Sequence, residues 1–232
     1  MTTADAILYL DEATTGWLLT RFDPIGVAAR ALGHPADGLA AIALPDDDRL
    51  TVVADAAARR VLCLISSPRF REVCSACTAA ALARSLMVGR QPVVCVLGDG
   101  RREMLYVEQV LRGVPGIVHI VVWRPGPVLV SPAPVARFRG GVTVAVTGSV
   151  REALLGADLV LIVSPPGALL DPSWLAPRAA VLDVTGTVDL ATLGPKVRHA
   201  VSPAELAAVT AGLAAATYRL ALDSVVGVPL AP

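Results

Sequence analysis

Several features that assign a protein to a special class are missing from this 232-residue sequence. It contains no run of eighteen uncharged apolar residues, so no transmembrane helix is predicted. Residues 1–5 lack the basic start and the small-residue cleavage site of a signal peptide, which indicates a cytoplasmic protein. Twenty basic and twenty acidic residues cancel, which leaves no excess of positive charge for binding nucleic acid. We therefore expect neither a membrane nor a nucleic acid as a partner.

Cysteine and histidine are too few and too scattered to predict a metal site. Cys74 and Cys77 have the spacing of a redox pair or of half a zinc site. The other two cysteines do not form a second pair, and the three histidines lie far apart along the chain. Both Cys74 and Cys77 fall on one face of an alanine-rich helix, which favours simple packing as buried small residues. No Ser-His-Asp order and no pair of catalytic carboxylates is evident.

What the sequence has in excess is apolar surface. Hydrophobic residues make up 54% of the chain, while its net charge is zero. A homo-oligomer is the simplest way to bury such a surface. The alternative is a monomer with one efficient core, in which alanine supplies much of the apolar count.

Apolar runs alternate with helical segments in the second half of the chain. Strands are predicted at 92–97, 117–123, 143–146, 158–163 and 179–184, with helices at 101–112 and 150–155. Continuous apolar strands separated by helices indicate a parallel sheet covered on both faces. We predict a Rossmann-like α/β domain over residues 89–200. Four prolines between residues 124 and 134 replace the helix expected after the second strand by a loop or an extended segment.

The first part of the chain predicts a smaller sheet. Strands are expected at 7–10, 39–44, 50–54 and 60–65, followed by a helix at 69–88. Ser202-Pro203-Ala204-Glu205 has the pattern of a capping box and begins a last helix that runs to about 225, with a possible break at Gly212. Residues 228–232 are predicted to be a tail. Residues 1–88 and the helix at 202–227 would form a small truncated α+β dimerisation domain.

The strongest local motif is Gly98-Asp99-Gly100-Arg101, between a predicted strand and a helix. A G-x-G turn lets the backbone approach a pyrophosphate at a helix N-terminus. The third position of this fingerprint, normally glycine or alanine, is Glu103. Asp99 and Glu103 place negative charge where phosphates would lie, and Arg101 and Arg102 can offset it. The turn therefore either binds a dinucleotide or is retained only for folding.

Arg124 follows the second strand, where a residue that recognises the ribose would lie. A basic residue there suits a 2′-phosphate, so NADP is favoured over NAD if either binds. The alternative is an ordinary exposed arginine at a strand end. The candidate cofactor-binding residues are therefore Gly98, Asp99, Gly100, Arg101 and Arg124.

The order of several soft motifs resembles the ornithine cyclodeaminase and mu-crystallin family. These are Leu8-Tyr9-Leu10-Asp11-Glu12, the alanine-rich segment 70–83, the turn at Gly98, Gly156-Ala157-Asp158-Leu159-Val160, Val184-Thr185-Gly186 and Ser202-Pro203-Ala204-Glu205. The resemblance implies a homodimer with a Rossmann domain and a separate dimerisation domain that carries much of the substrate pocket. It also implies a nicotinamide cofactor, used for cyclodeamination or imine reduction, although some members only bind a ligand.

The chain departs from the family at the positions that carry the chemistry. The stretches 19–70 and 187–202 are compressed, and the first of these is expected to lack the strand with the substrate-binding lysine. The arginine of the family's Arg-Thr-Ala-Ala motif aligns with Cys74, and a thiol cannot replace a bidentate guanidinium. The cyclodeaminase aspartate aligns near Val188, one step from Asp189. Catalytic cyclodeaminase residues are therefore not found.

Three functions remain open from the sequence. The first is a non-catalytic homodimer that binds a peptide or a small molecule, for which exposed sheet edges are suited. Such a protein would serve as an accessory in the biosynthesis of a modified peptide or another natural product. The second is an NAD(P)-dependent oxidoreductase that acts on an imine or a ketone. The third is a subunit that stabilises a pathway enzyme.

Overall fold

The computed structural model describes residues 7–34, 38–44, 47–99, 102–125, 136–137, 141–164, 170–186, 188–189 and 197–230. The chain forms two compact units. We call residues 79–202 the continuous unit, and residues 1–78 together with 203–232 the split unit. In the described part of the chain, no helix is both long enough and apolar enough to span a bilayer.

Strands and helices are numbered in chain order. The strands are β1 (Ile7–Leu10), β2 (Leu39–Leu44), β3 (Asp47–Asp55), β4 (Arg60–Ser66), β5 (Val93–Leu97), β6 (His119–Trp123), β7 (Ala136–Arg137), β8 (Thr143–Thr147), β9 (Leu159–Ile162), β10 (Ala180–Asp183), β11 (Val197–Ala200) and β12 (Val228–Leu230). The helices are α1 (Glu12–Leu19), α2 (Pro24–Gly33), α3 (Pro68–Leu86), α4 (Glu103–Gly113), α5 (Val150–Leu154) and α6 (Pro203–Asp223), with one 3₁₀ turn at Pro172–Trp174.

The continuous unit is a Rossmann-like α/β fold. Its sheet has the order β11-β10-β9-β5-β6-β8-β7, and all neighbours pair in parallel except β7, which runs antiparallel to β8. Numbered by their place in the unit, the six parallel strands have the order 3-2-1-4-5-6 when the sheet is read from β8, which is the order of dinucleotide-binding folds. The point where the order reverses lies between β5 and β9, and a ligand of such a fold binds beyond the carboxyl ends of these strands.

Burial explains why this unit could be predicted. All four residues of β9 and of β10 are buried, as expected for parallel strands covered on both faces. One face packs against α5 and the 3₁₀ turn through an apolar cluster that includes Cys95, Leu97, Trp123, Leu154, Ile162, Leu175 and Val181. On α4, Tyr106, Val107 and Val110 are buried.

A half-buried ion pair closes the amino edge of this sheet. The carboxylate of Asp158, just before β9, accepts hydrogen bonds from the Val93 backbone N–H and from Arg90 Nη2, both at 3.0 Å. Arg90 Nη1 also donates to the Arg178 carbonyl at 3.1 Å. Asp158 therefore ties the starts of β5 and β9 together, and Arg90 ties both to the loop that precedes β10.

The split unit contains a five-stranded mixed sheet of order β12-β1-β4-β3-β2. Only β1 and β4 pair in parallel, and the other neighbours are antiparallel. On one face Leu10, Cys63, Ile65 and Val53 are buried. The opposite face carries one apolar side chain from each strand in a single register, namely Val228, Tyr9, Leu64, Val52 and Ile42. We call these five residues the apolar row; Val228 and Ile42, at its two ends, are 59% and 53% exposed.

Two features at the end of the chain differ from the sequence analysis. Helix α6 continues through Gly212 without a break. A Cβ at this position would lie 2.9 Å from the Cβ of Ala31, so the glycine permits α6 to approach α2 closely. Residues 228–230 are not a tail but form β12, which is an edge strand and therefore tolerates Pro229.

The two stretches predicted to be compressed contain regular structure. Residues 19–70 hold α2 and the strands β2, β3 and β4, which lie where the sequence predicted three strands. In the second stretch β11 adds a sixth parallel strand that the sequence did not predict. In the proline-rich crossover only Ala136–Arg137 within 126–140 is described, and it forms the short strand β7.

Candidate functional site

The carboxyl edge of the parallel sheet holds the predicted nucleotide-binding turn. The backbone N–H of Gly98, directly after β5, donates to the Trp123 carbonyl at 3.2 Å. On the other side of β5, the N–H groups of Val163 and Ser164 both donate to the Leu97 carbonyl, at 2.9 and 3.1 Å. Neighbouring strands therefore remain hydrogen-bonded beyond the last residue of β5.

Gly98 is required by packing. A Cβ added there would lie 2.7 Å from the Cβ of Glu103 and 2.9 Å from its Oε2. The Cβ of Glu103 is fixed to the backbone of α4 and cannot move aside. The first turn of α4 thus lies directly against the turn after β5. The side chain that makes this contact is the acid Glu103.

Glu103 is a fully buried carboxylate at the first residue of α4. Its Oε1 forms an ion pair with Nε of Arg124, whose side chain is 37% exposed. The positive end of the helix dipole also favours an anion in the first helical turn. Glu103 therefore supplies an internal anion in the region where a Rossmann fold binds a pyrophosphate.

The other predicted cofactor residues lie around this pair. Asp99 is exposed, whereas Gly100 and Arg101 lie outside the described residues. Arg102 is the N-cap of α4 but makes no side-chain cap hydrogen bond. Arg101 and Arg102 were expected to offset the charge of Glu103; among the described residues, Arg124 forms an ion pair with it.

The position of Arg124 follows from the pairing of β6. Its backbone N–H donates to the Thr147 carbonyl at 3.1 Å, and the indole Nε1 of the preceding Trp123 donates to the Gly148 carbonyl at 3.1 Å. These contacts fix the end of β6 between β5 and β8. The guanidinium therefore faces an internal carboxylate rather than standing as an ordinary exposed arginine. The pairing of β5 with β6 could have been predicted from the sequence. It would have indicated that Arg124, at the end of β6, lies close to Glu103.

The four cysteines are free thiols inside the two units. Burial raises the pKa of Cys63 to about 12, and burial also raises the pKa values of Cys74 and Cys95 well above the usual range. A protonated thiol is a poor nucleophile and a poor metal ligand. Among the described residues no group of three or more histidine, cysteine or acidic side chains could hold a metal ion.

Cys74 and Val188 occupy the positions that the sequence resemblance aligned with catalytic residues. Cys74 is buried in α3 and cannot bind a carboxylate as arginine does. Lys196 is the single lysine of the whole sequence, and β2 has the composition Leu-Ala-Ala-Ile-Ala-Leu. The backbone N–H of Val188 donates to Asp183 Oδ2 at 2.9 Å, so Val188 forms part of the loop that follows β10.

Asp183 is a buried acid that sequence reasoning did not single out. It ends β10, and its carboxylate accepts hydrogen bonds from the N–H and the hydroxyl of Thr185 as well as from Val188. Three donors hold the carboxylate within the loop after β10. Asp183 therefore shapes this loop, and the signal for it was an acid at the end of a fully apolar strand.

Comparison with known proteins finds the fold but no close relative. No protein-family model and no curated protein matches the chain. Among solved structures, the chain is similar to the iminosuccinate reductase of Paracoccus denitrificans in complex with NAD⁺, with a TM-score of 0.71 and 10% identity over 98% of this chain and 100% of that one. It is also similar to Thermococcus litoralis Δ1-pyrroline-2-carboxylate reductase in complex with NADH and L-proline, with a TM-score of 0.69 and 11% identity over 97% and 100%.

A third similar structure is the probable ornithine cyclodeaminase from Bordetella pertussis Tohama I. Its TM-score is 0.64, with 15% identity over 98% of this chain and 100% of that one. The fold expected from the motif order is therefore confirmed. At 10–15% identity these similarities establish the fold alone.

Proposed function

We propose that this protein is a homodimer that binds a peptide or a peptide-like ligand and performs no cyclodeamination. The observation that carries the proposal is the buried carboxylate of Glu103, held against Gly98 and paired with Arg124. It occupies the turn in which a cofactor of this fold would place its phosphates. We further propose that the protein is an accessory in the biosynthesis of a modified peptide.

A bound dinucleotide would have to compete with this carboxylate. Its pyrophosphate would approach the turn between β5 and α4, where Asp99 and Glu103 already place two acids. Arg124, the cation that would recognise a ribose phosphate, is engaged by Glu103. Drawing Arg124 away would leave the buried carboxylate of Glu103 without this cation, at a cost of up to about 3–5 kcal/mol that a cofactor would have to supply from its own contacts. The described residues of this site therefore do not fit a pyrophosphate.

Peptide binding is supported by the edges of the split unit's sheet. Strand β2 lies at one edge, where no described strand pairs with its outer side, and none of its six residues is charged. Natural edge strands are normally protected by lysine, proline or a covering element. An uncharged edge strand is suited to accept an extended segment by strand addition.

Dimer formation is supported by the apolar row on one face of the same sheet. Exposed apolar residues at both of its ends make a continuous stripe across five strands. Contiguous apolar surface of this kind marks interaction sites in proteins. We expect light scattering to give twice the mass of the chain, and Ile42→Glu to produce a monomer. A wild-type monomer would contradict this part of the proposal.

A second candidate is an NAD(P)-dependent imine or ketone reductase. It is supported by the strand order of the continuous unit and by the reductases similar to this chain that were solved with NAD⁺ or NADH. Gly98 and Arg124 would then contact the cofactor after Glu103 had moved. Bound cofactor would supply or accept hydride.

Fluorescence titration with NADH and NADPH separates the two functions. We expect the wild-type protein to bind both with a dissociation constant weaker than about 1 mM, corresponding to less than about 4 kcal/mol. Glu103→Ala removes the internal anion and frees Arg124, so this variant should gain affinity, and more for NADPH than for NADH. Glu108→Gln, an exposed acid on the same helix, is the matched control and should leave binding unchanged. Micromolar binding by the wild type would overturn the proposal in favour of the reductase.

A further inference from the structure

The amino edge of the parallel sheet carries the exposed apolar side chains of the continuous unit. Val88, Val118 and Leu155 are 77%, 50% and 66% exposed, and they are the large apolar residues of this unit that are exposed in the described part of the chain. They lie in the turns that lead into β5, β6 and β9, respectively. These strands are neighbours in the order β9-β5-β6. The three side chains therefore share one edge of the sheet, opposite the edge that holds Glu103.

Hydrogen bonds and close packing join the turns at this edge. The Ala176 N–H donates to the Ala157 carbonyl at 3.1 Å, which links the turn before β10 to the turn before β9. The ion pair of Arg90 with Asp158 links the turns before β5 and β9. A Cβ at Gly116 would lie 3.2 Å from the Arg90 carbonyl oxygen, so the turns before β5 and β6 are also in contact. A partner would not have to order these turns when it binds, which lowers the cost of association.

Positive charge lies beside the apolar side chains. The turns before β5, β6, β9 and β10 contain one acid, Asp158, which is paired with Arg90. Arg178, in the turn before β10, and Arg84, in the last turn of α3, are both exposed, and neither forms an ion pair with a described residue. The helix dipole accounts for an arginine at the end of α3. Arg178 lies outside any helix, so the dipole does not account for its guanidinium.

The composition of this edge fits a protein partner of opposite charge. Protein interfaces are enriched in apolar side chains and arginine and depleted of lysine and acids. Two copies that met through this edge about a twofold axis would bring like charges together across the interface, which is unfavourable. An anionic bilayer attracts clusters of about four to eight basic residues, more than the two unpaired arginines here. A protein with carboxylates beside apolar side chains complements both features of the edge.

We propose that the amino edge of the parallel sheet binds another protein through apolar side chains that are flanked by acidic residues. Val88, Val118 and Leu155 contact the apolar side chains of this partner, and Arg178 binds one of its carboxylates. The inference goes beyond the proposed function, and it uses none of the residues assigned to the dimer or to peptide binding. A docking surface of this kind would bring an accessory protein to the enzyme that it serves.

The test uses two synthetic helical peptides of about 20 residues as probes. Both carry leucine at every third or fourth position; the acidic probe has glutamate at the flanking positions, and the basic probe has lysine there. In calorimetric titrations of the full chain we expect the acidic probe to bind with a dissociation constant of about 0.1–1 mM, and the basic probe at least about fivefold more weakly. In NMR spectra the acidic probe should shift the signals of residues 88–90, 116–118, 155–158 and 176–178.

Two variants with matched controls locate the contact. Leu155→Ser removes an exposed apolar side chain, and Arg178→Ala removes an exposed guanidinium, so neither should disturb the fold. We expect Leu155→Ser to weaken binding of the acidic probe about five- to tenfold, and Arg178→Ala about two- to fivefold. Leu222→Ser and Arg219→Ala make the same replacements at exposed positions of α6 and should leave binding unchanged.

Three results would overturn this inference. One is equal binding of the two probes, or no binding of the acidic probe by the folded wild-type protein at about 1 mM. The second is a loss of binding in Leu222→Ser as large as that in Leu155→Ser. The third is a different occupant of the edge, detected as binding to phosphatidylserine vesicles that Leu155→Ser abolishes, or as a wild-type mass above that of a dimer that the same variant lowers. The titrations with NADH and NADPH test the proposed function separately.

Discussion

The two ends of the parallel sheet in the continuous unit carry the same kind of contact with different consequences. At the amino edge Arg90 pairs with Asp158, and at the carboxyl edge Arg124 pairs with Glu103. Asp158 and Arg90 are 25% and 31% exposed, and they also bind the Val93 N–H at the start of β5 and the Arg178 carbonyl in the loop before β10. Glu103 is fully buried, in a turn where folds of this type usually bind a ligand. The first pair links neighbouring parts of the sheet. In the second pair, Glu103 engages Arg124, which a ligand would otherwise contact.

Removing the arginine at the carboxyl edge should have the largest effect. Arg124→Met leaves Glu103 buried without this partner, and we expect a loss of about 3 kcal/mol in the free energy of unfolding. The double variant Arg124→Met with Glu103→Met should recover most of this loss, because apolar residues can replace a buried pair. Urea denaturation of the single and double variants measures both. A single variant within about 0.5 kcal/mol of the wild type would show that the carboxylate of Glu103 is not buried in solution.

Closing the space between the turn and the helix should have the next largest effect. In Gly98→Ala the new Cβ would meet the Cβ of Glu103 at 2.7 Å, and we expect a loss of about 1–3 kcal/mol in stability. The loss should be smaller when Glu103 is also replaced by glycine. Gly33→Ala is the matched control, since a Cβ there meets no atom within 4 Å. Equal losses at the two glycines would contradict the close packing described for Gly98.

A substitution at the amino edge should cause the smallest loss of stability, and this loss should depend most strongly on salt. Asp158→Asn removes the carboxylate charge of an ion pair in which both side chains are partly exposed, so we expect a loss of about 1 kcal/mol in stability at low salt. In about 1 M salt the loss should shrink, because charges are screened over about 3 Å. The loss caused by Arg124→Met should change little under the same conditions. Similar salt dependence at both edges would remove the distinction between them.

The sequence predicted those strands whose burial requires a continuous run of apolar residues. β5, β6, β8, β9 and β10 are apolar runs, because parallel strands are covered on both faces. β11 was missed because Val-Arg-His-Ala is a short edge strand with polar residues. β12 was missed because Pro229 normally argues against a strand. In both cases only pairing with a neighbouring strand, which is a tertiary contact, makes the segment regular.

The candidate site was predicted by position but not by its contacts. Gly98 and Arg124 lie at the expected ends of β5 and β6, and Glu103 was recognised as unfavourable for a phosphate. The pairing of Glu103 with Arg124 was not foreseen, because it depends on the depth to which a side chain is buried between elements distant in sequence.

The pairing of β1 with β12 also sets the order in which the chain can fold as it is synthesised. The sheet of the split unit gains its last strand only when residues 228–230 have left the ribosome. Residues 79–202 emerge earlier and contain all described strands of their own sheet. We therefore expect the continuous unit to fold before the sheet of the split unit is complete, the reverse of the usual order in which N-terminal structure is completed first. Until α6 has been synthesised, β2 and β3 lack the helix that packs on them, although residues 79–202 have already emerged.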